Sequence, residues 1–104
     1  MRVISRSGLA AFWLENPDSR EPLKTWLIET SAASWQTPAD VKAHFRSASV
    51  LQKGRIVFNI AGNKYRLVVA VLYQTQIVLI KFIGTHDEYN RVDAQTIDFK
   101  KGGN

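Results

Sequence analysis

The side chains with the clearest capacity for chemistry lie near the end of the chain, in the run Thr85-His86-Asp87-Glu88-Tyr89. The imidazole of His86 can exchange a proton near neutral pH, and the phenol of Tyr89 can stack on a base or donate a proton. Arg66, further upstream, adds a fork of N–H donors that binds phosphate oxygens. Together these groups suit RNA cleavage by attack of the 2′-hydroxyl on the adjacent phosphorus, because that reaction needs proton transfers and cations. A histidine beside two acids is also typical of a surface or capping residue, so the residue types alone leave both interpretations open.

The composition excludes several other kinds of site. The chain has 104 residues, no cysteine and two histidines, His44 and His86, far apart in sequence. Disulfides, thiolate nucleophiles and cysteine-rich zinc sites are therefore excluded, and we expect no metal and no cofactor. We also find no Ser-His-Asp pattern, no paired-carboxylate spacing and no phosphate-binding glycine loop.

Length and hydropathy predict a single domain over residues 1–104. With 45% hydrophobic and 22% charged residues, the chain has an ordinary globular composition. No apolar run approaches the roughly 20 residues of a membrane span. The first residues lack the apolar core of a signal peptide, so we expect a cytoplasmic protein without membrane contact. Residues 99–104 contain two lysines and two glycines and are predicted to form a flexible tail.

Positive charge is concentrated in the middle of the chain. Fourteen Lys and Arg against nine Asp and Glu leave a formal charge of +5. There is no acidic residue between Asp40 and Asp87. The cations of this stretch are Lys42, Arg46, Lys53, Arg55, Lys64, Arg66 and Lys81. They attract polyanions if they share one face, and otherwise form a solvated surface.

The N-terminal part of the chain has the pattern of helices. Apolar residues at helical spacing after Ser7, a good capping residue, predict a helix over 7–16. The same spacing predicts a second helix over 20–34, in which Trp26 is a core residue. The run Thr37-Pro38-Ala39-Asp40 resembles a capping box that opens a third, short helix.

The second half of the chain has the pattern of a sheet. After a short leading strand at Val3-Ile4, β-rich runs follow at 55–60, 64–73 and 76–83, with two-residue turns at Gly62-Asn63 and Gln74-Thr75. Such turns fix the register. The first sets Phe58 opposite Leu67, and the second sets Leu67 opposite Phe82, which gives an apolar face for the helices. On the other face the second turn sets Arg66 opposite Ile83.

The other face of the predicted sheet combines polar and apolar side chains. Its polar members are Arg55, Asn59, Lys64, Arg66 and Lys81. Its apolar members, which need cover from the C-terminal segment or a partner, are Val57, Val68, Leu79 and Ile83. His86 follows at the rim, with Tyr89 one turn further on if that segment is helical. This convergence favours a nucleic-acid surface over a solvated one.

Two segments resemble a known family. The pattern F-N-x-x-G-N-x-x-R-L-V within Val57–Val69 and the pattern T-H-x-E-Y within Thr85–Asn90 are similar to those of HigB toxins, in the RelE-like superfamily of type II toxin–antitoxin systems. The resemblance implies a RelE-like α+β fold, with N-terminal helices packed on one face of a small, mainly antiparallel sheet. It also implies an mRNA interferase, an endoribonuclease that acts on mRNA on translating ribosomes. The implied partner is a helix-turn-helix HigA antitoxin, and operator DNA is bound only through the toxin–antitoxin complex.

The resemblance assigns roles to individual residues. It implies that Arg66 stabilises the phosphate, that His86 is the general acid or base, and that Tyr89 orients the base or assists proton transfer. Supporting RNA-binding positions are predicted at Lys53, Arg55, Asn63, Lys64 and Lys81.

Two alternatives use the same surface without catalysis. One is an RNA- or ribosome-binding module that relies on the basic sheet face. The other is a structural domain whose exposed valines bind another protein chain. Salt dependence distinguishes these alternatives, because phosphate contacts make affinity fall steeply with ionic strength.

Overall fold

The structure is a computed structural model that describes residues 1–98. The predicted flexible tail, 99–104, lies outside the described residues. The elements in chain order are β1 (Arg2–Ile4), α1 (Ser7–Glu15), a short 3₁₀ helix (Pro17–Ser19), α2 (Arg20–Ala32), α3 (Pro38–His44), β2 (Ser49–Val50), β3 (Arg55–Ile60), β4 (Tyr65–Leu72), β5 (Ile77–Thr85) and α4 (His86–Tyr89).

The strands form one mixed sheet. Its order is β1-β5-β4-β3-β2, antiparallel throughout except for the parallel pair of β1 with β5. Buried residues of α1 and α2 pack with those of the sheet in one core. The predicted α+β fold, with N-terminal helices on one face of a mainly antiparallel sheet, is confirmed. Within residues 1–98, no helix has the length and apolar character needed to cross a membrane.

The first helix begins where predicted, but its cap differs from the prediction. Arg6 occupies the N-cap position and makes no side-chain capping hydrogen bond. The amide of Leu9 donates instead to the carbonyl oxygen of Arg6 at 3.0 Å. The prediction that Ser7 caps α1 is therefore wrong, because the backbone turn leading out of β1 already supplies the acceptors that a capping side chain would offer.

The third helix begins with the predicted capping box. The backbone N–H of Asp40 donates to Thr37 Oγ1 at 3.4 Å, and the backbone N–H of Thr37 donates to Asp40 Oδ2 at 3.1 Å. Each side chain thus satisfies a backbone donor that the helix itself leaves unpaired.

The hydrophobic core lies between the helices and the sheet. Leu9 of α1 and Leu23 of α2 are fully buried, as is Leu67 of β4. The ring of Trp26, which is 2% exposed, meets the ring of Phe58 edge to face at 5.4 Å between centroids. Trp26 is therefore a core residue, as predicted. This apolar layer holds the sheet on which the candidate site is built.

The first hairpin has the predicted register. Phe58 pairs with Leu67, and Asn59 pairs with Arg66. Ala61 and Gly62 in the turn have φ values of +54° and +69°. Glycine adopts this left-handed region without a steric penalty, which makes the turn tight enough to keep the pairing in register.

The second hairpin departs from the predicted register at a β-bulge. Val69 pairs with Ile80 as predicted, but Lys81 has no partner in the ladder. From there on, Leu67 pairs with Ile83 rather than Phe82, and Arg66 pairs with Gly84 rather than Ile83. An inserted residue moves every later side chain by one position. The prediction that Ile83 lies on the basic face is wrong, because Ile83 belongs to the core on the helix side.

Candidate functional site

One corner of the sheet brings together the three residues predicted to be catalytic. Arg66 of β4 pairs with Gly84 near the end of β5, which leads directly into α4. That helix begins at His86 and ends at Tyr89. The guanidinium carbon of Arg66 lies 6.0 Å from the centroid of the Tyr89 ring. The chain thus places a cation, an imidazole and a phenol at one edge of the sheet.

The Arg66 guanidinium is held by the backbone of its own hairpin. Its Nη1 donates to the carbonyl oxygen of Asn63 at 2.9 Å and to that of Tyr65 at 3.4 Å. Arg66 remains half-buried, with the Tyr89 ring beside it. A guanidinium has five N–H donors, so most of them stay available for a phosphate. Asn63, predicted to bind RNA, contributes its carbonyl oxygen to positioning Arg66, and its side chain is exposed.

The predicted histidine sits at the start of α4 without capping it. Thr85 is the N-cap: its Oγ1 accepts from the Glu88 amide at 3.1 Å, and its own amide donates to Glu88 Oε1 at 2.8 Å. The sequence analysis missed this capping box, although the spacing of Thr85 and Glu88 is its usual signal. Thr85 and Glu88 of the T-H-x-E-Y pattern therefore serve as the helix cap. His86 takes no part in that cap and is exposed to solvent.

The imidazole of His86 has one orientation partner. Its Nδ1 lies 3.2 Å from the side-chain amide nitrogen of Asn90, one turn further on. This contact leaves the other ring nitrogen, Nε2, accessible from solvent. The backbone N–H of His86 donates to the carbonyl oxygen of Lys64 at 3.2 Å, which ties α4 to the β3–β4 hairpin.

Two predicted RNA-binding cations hold the C-terminal segment onto the sheet. Arg55 Nη1 donates to the carbonyl oxygens of Ala94 and Ile97 at 3.1 and 2.7 Å. Lys81, the bulge residue, forms an ion pair with Asp98 at 3.2 Å, and its side chain is 19% exposed. The sequence analysis predicted that the apolar residues on the Arg66 face of the sheet need cover. The C-terminal segment supplies it. Arg55 and Lys81 lie beneath it, apart from the open corner that contains Arg66.

The two remaining predicted cations point away from that corner. Lys64 turns to the helix side of the sheet and forms an ion pair with Asp18. Lys53 is exposed at the opposite end of the sheet. Its neighbour Gly54 accepts from the amide of Val71 at 2.8 Å, and Val71 lies about 16 Å along β4 from Arg66 at roughly 3.3 Å per residue. Arg55, Arg66 and Lys81 thus share one face of the sheet, whereas Lys64 turns to the helix side and Lys53 lies at the far end.

Phe82 is a residue at this site that the sequence analysis placed on the wrong face. It pairs with Val68, so the bulge turns it to the same face as Arg66. A Cβ built on Gly84 would come within 2.6 Å of the Phe82 ring and 3.0 Å of Glu88 Oε1. Only glycine therefore leaves that ring in place beside Arg66. No local sequence signal marks a bulge, which is why the prediction failed.

The ion pair of Asp18 is part of a three-residue contact. Asp18 lies in the 3₁₀ helix, and besides Lys64 Nζ it accepts a hydrogen bond from the Tyr65 hydroxyl at 2.5 Å. The bond from Lys64, then that from Tyr65, lowers the pKa of the Asp18 carboxyl from its ordinary 3.8. The same carboxylate raises the pKa of Lys64 and of the Tyr65 phenol. Nothing in the local sequence around Asp18 marks it for this contact.

The Asp18 contact predicts a dependence of stability on pH. Because the pKa of Asp18 is lower in the folded protein, its contribution is fully present above its ordinary pKa and is lost as the pH falls through the folded value. Because the pKa values of Lys64 and Tyr65 are raised, their contribution is lost only above about pH 10. The stability difference between the wild type and Asp18→Asn should therefore be constant near neutral pH and shrink below about pH 4. Urea unfolding followed by tryptophan fluorescence measures it, and a difference that persists unchanged at pH 3 contradicts the assignment.

The fold and the site together define a RelE-like protein: helices on one face of a mainly antiparallel sheet, and an arginine, a histidine and a tyrosine at one sheet corner. A family model described as HigB_toxin, the RelE-like toxic component of a toxin–antitoxin system, matches residues 19–92. The chain therefore belongs to the HigB toxin family and is the toxin of a toxin–antitoxin system, with an antitoxin as its partner. No curated protein matches the chain.

Proposed function

We propose that this toxin is an endoribonuclease that cleaves mRNA on translating ribosomes and thereby inhibits translation in the cytoplasm. The observation that carries the proposal is the corner formed by Arg66, His86 and Tyr89, where the Arg66 guanidinium lies 6.0 Å from the Tyr89 ring. The antitoxin that neutralises it is of the helix-turn-helix HigA type, and operator DNA is bound through the toxin–antitoxin complex.

The reaction follows from the groups available. The 2′-oxygen forms a bond to phosphorus and gives its proton to solvent water, while the bond from phosphorus to the 5′-oxygen breaks and that oxygen takes up a proton from His86. The products are a 2′,3′-cyclic phosphate and a 5′-hydroxyl. Arg66 binds the non-bridging oxygens, whose negative charge grows as the pentacoordinate phosphorus forms. No step requires a metal.

His86 is positioned to act as the general acid. Its ring is exposed, and Asn90 lies against Nδ1, so Nε2 remains accessible to the RNA. From the protonated imidazolium, Nε2 gives its proton to the leaving 5′-oxygen. Tyr89 stacks beside Arg66 and orients the base next to the cleaved bond.

In this proposal the ribosome aligns the RNA, which the open corner of Arg66, His86 and Tyr89 does not do by itself. The site is open, with His86 exposed and no second imidazole, because His44 packs against Trp35 and Glu29 elsewhere in the fold. In-line attack by the 2′-hydroxyl needs the RNA held in a particular geometry, and such alignment alone is worth several orders of magnitude in rate. The ribosome supplies this alignment by holding the mRNA.

The test is a translation reaction with purified toxin. Primer extension should show new 5′ ends in the mRNA, and those ends should accept phosphate from a kinase without prior phosphatase treatment, as a 5′-hydroxyl does. Intact mRNA under translation arrest contradicts cleavage and supports the non-catalytic ribosome-binding module. Binding to ribosomes that does not change with salt contradicts both and supports a structural domain that binds another protein.

A further inference from the structure

Asp18 links the helical layer to the hairpin that carries the candidate site. It lies between α1 and α2, in the 3₁₀ helix Pro17–Ser19. Its two carboxylate oxygens bind consecutive residues of the hairpin: Oδ2 pairs with Lys64 Nζ, and Oδ1 accepts from the Tyr65 hydroxyl at 2.5 Å. These partners are 46 and 47 residues away in sequence. Tyr65 is further held by the ring of Phe12, edge to face at 5.3 Å.

The hairpin segment held by Asp18 is also the one that holds the site. The carbonyl oxygen of Lys64 accepts from the backbone N–H of His86 at 3.2 Å. The carbonyl oxygens of Asn63 and Tyr65 accept from Arg66 Nη1 at 2.9 and 3.4 Å. Three consecutive carbonyls therefore fix where the guanidinium and the start of α4 lie.

We propose that Asp18 is a positioning residue: by binding Lys64 and Tyr65 it fixes the β3–β4 hairpin, and through that hairpin it aligns Arg66 and His86 for cleavage. This inference rests on the proposed ribonuclease function. Asp18 itself contacts no reacting atom. It acts through hydrogen bonds and charge. Because the side chains of Asp18 and Lys64 are both exposed to solvent, salt weakens their ion pair.

A second interpretation of the same ion pair makes the opposite prediction. If Lys64 binds RNA phosphates, then Asp18 competes with RNA for that ammonium. Removing the carboxylate would then free Lys64, raise the affinity for RNA and steepen its salt dependence by about one charge. If Asp18 positions the site, removing it lowers the cleavage rate with saturating mRNA and leaves affinity and salt dependence unchanged. Misplacement of reacting groups by about 1 Å lowers the rate by up to about 100-fold.

The experiment measures cleavage by the full chain on programmed ribosomes, with rate and affinity determined separately. Asp18→Ala removes both contacts and should lower the saturated rate about 10- to 100-fold. Asp18→Asn keeps an oxygen that accepts from Tyr65, so its rate should lie between those of the alanine variant and the wild type. Glu21→Gln is the matched control: it removes an acid from the first turn of α2 that forms no ion pair within residues 1–98. Its rate should stay within about twofold of the wild type, as for surface substitutions in general.

A double substitution separates positioning from general loss of structure. Because Asp18 acts through Arg66 and His86, Asp18→Ala should lower the rate by a smaller factor once Arg66 is alanine than it does in the wild type, whereas independent effects would multiply. Thermal unfolding confirms that each variant is folded at the assay temperature. Multiplicative effects, a wild-type rate for Asp18→Ala or a raised affinity each overturn the inference.

The inference and the proposed function fail in different ways. If the wild type cleaves RNA and Arg66→Ala does not, but Asp18→Ala cleaves like the wild type, only the positioning role is overturned. If the wild type produces no cleavage at all, both are overturned.

Discussion

Replacing Arg66 with alanine is expected to slow mRNA cleavage by about 10²–10³-fold, because it removes the cation that stabilises the charged phosphorus intermediate. The effect should fall mainly on the rate with saturating mRNA, since the negative charge on the phosphate oxygens grows as the reaction proceeds. Arg66→Lys keeps the charge but loses the planar fork, so it should recover only part of the rate. Quantitative primer extension on programmed ribosomes measures the cleavage rates of the wild type and of both variants.

The control for this prediction is another arginine. Arg20 is exposed at the start of α2, in the helical layer rather than the sheet. Arg20→Ala removes the same charge and should leave the rate within about twofold of the wild type. Equal losses in the two variants would show that net charge matters and that the Arg66 position does not. A wild-type rate for Arg66→Ala would remove this residue from the proposed mechanism.

Replacing His86 with alanine is expected to slow cleavage by about 10²–10⁴-fold, the usual contribution of a general acid. The predicted role allows a specific rescue. In an mRNA with sulfur in place of the bridging 5′-oxygen at the cleaved bond, the leaving group departs as a thiolate and needs no proton. The defect of His86→Ala should therefore shrink strongly on this substrate, whereas the defect of Arg66→Ala should remain.

The other histidine provides the control for His86. His44 accepts from Trp35 Nε1 at 3.2 Å, and its Nε2 lies 3.2 Å from Glu29 Oε1, so both ring nitrogens have structural partners. His44→Gln should leave the rate per folded molecule within about twofold of the wild type. A defect of His86→Ala that is the same on the oxygen and sulfur substrates would contradict the role as general acid and would point to a role in binding.

The variants Arg66→Ala and His86→Ala also decide whether the protein is a catalyst or a binding module. A non-catalytic module that blocks translation through phosphate contacts would lose affinity when Arg66 is replaced, and its salt dependence would flatten by about one charge. Its inhibition of translation would be the same when sulfur replaces the bridging 5′-oxygen of the mRNA. The proposed enzyme should show the reverse pattern, because Arg66 and His86 act mainly on its rate.

The sequence analysis succeeded where structure depends on neighbours along the chain. The capping box of Thr37 and Asp40 and the register of the first hairpin are present as predicted. It failed at Lys81, where a bulge shifts the ladder and exchanges the faces of Phe82 and Ile83. A two-residue turn determines pairing only up to the first irregularity, and a bulge has no reliable local signal.

The sequence also located the candidate site more accurately than its surroundings. Arg66, His86 and Tyr89 meet at one corner as expected, because β4 and β5 are joined by a short turn and α4 follows β5 without a break. Of the supporting cations, Lys64 was predicted on the wrong face. Arg55 and Lys81 bind the C-terminal segment, and this could not be predicted because their partners lie 39 or more and 17 residues away without a pattern that links them.

By itself, the sequence determined the family, the kinds of element and the three residues at the corner, since all of these depend on residue types at short, regular spacing. Only the tertiary structure decided which cations bind other parts of the protein. An acid-free stretch such as the one between Asp40 and Asp87 states how much charge is present, but the direction of each side chain depends on its long-range partners. The contact of Asp18 with Lys64, across 46 residues, is the clearest case: its energy comes from proximity in space, which no pattern along the chain records.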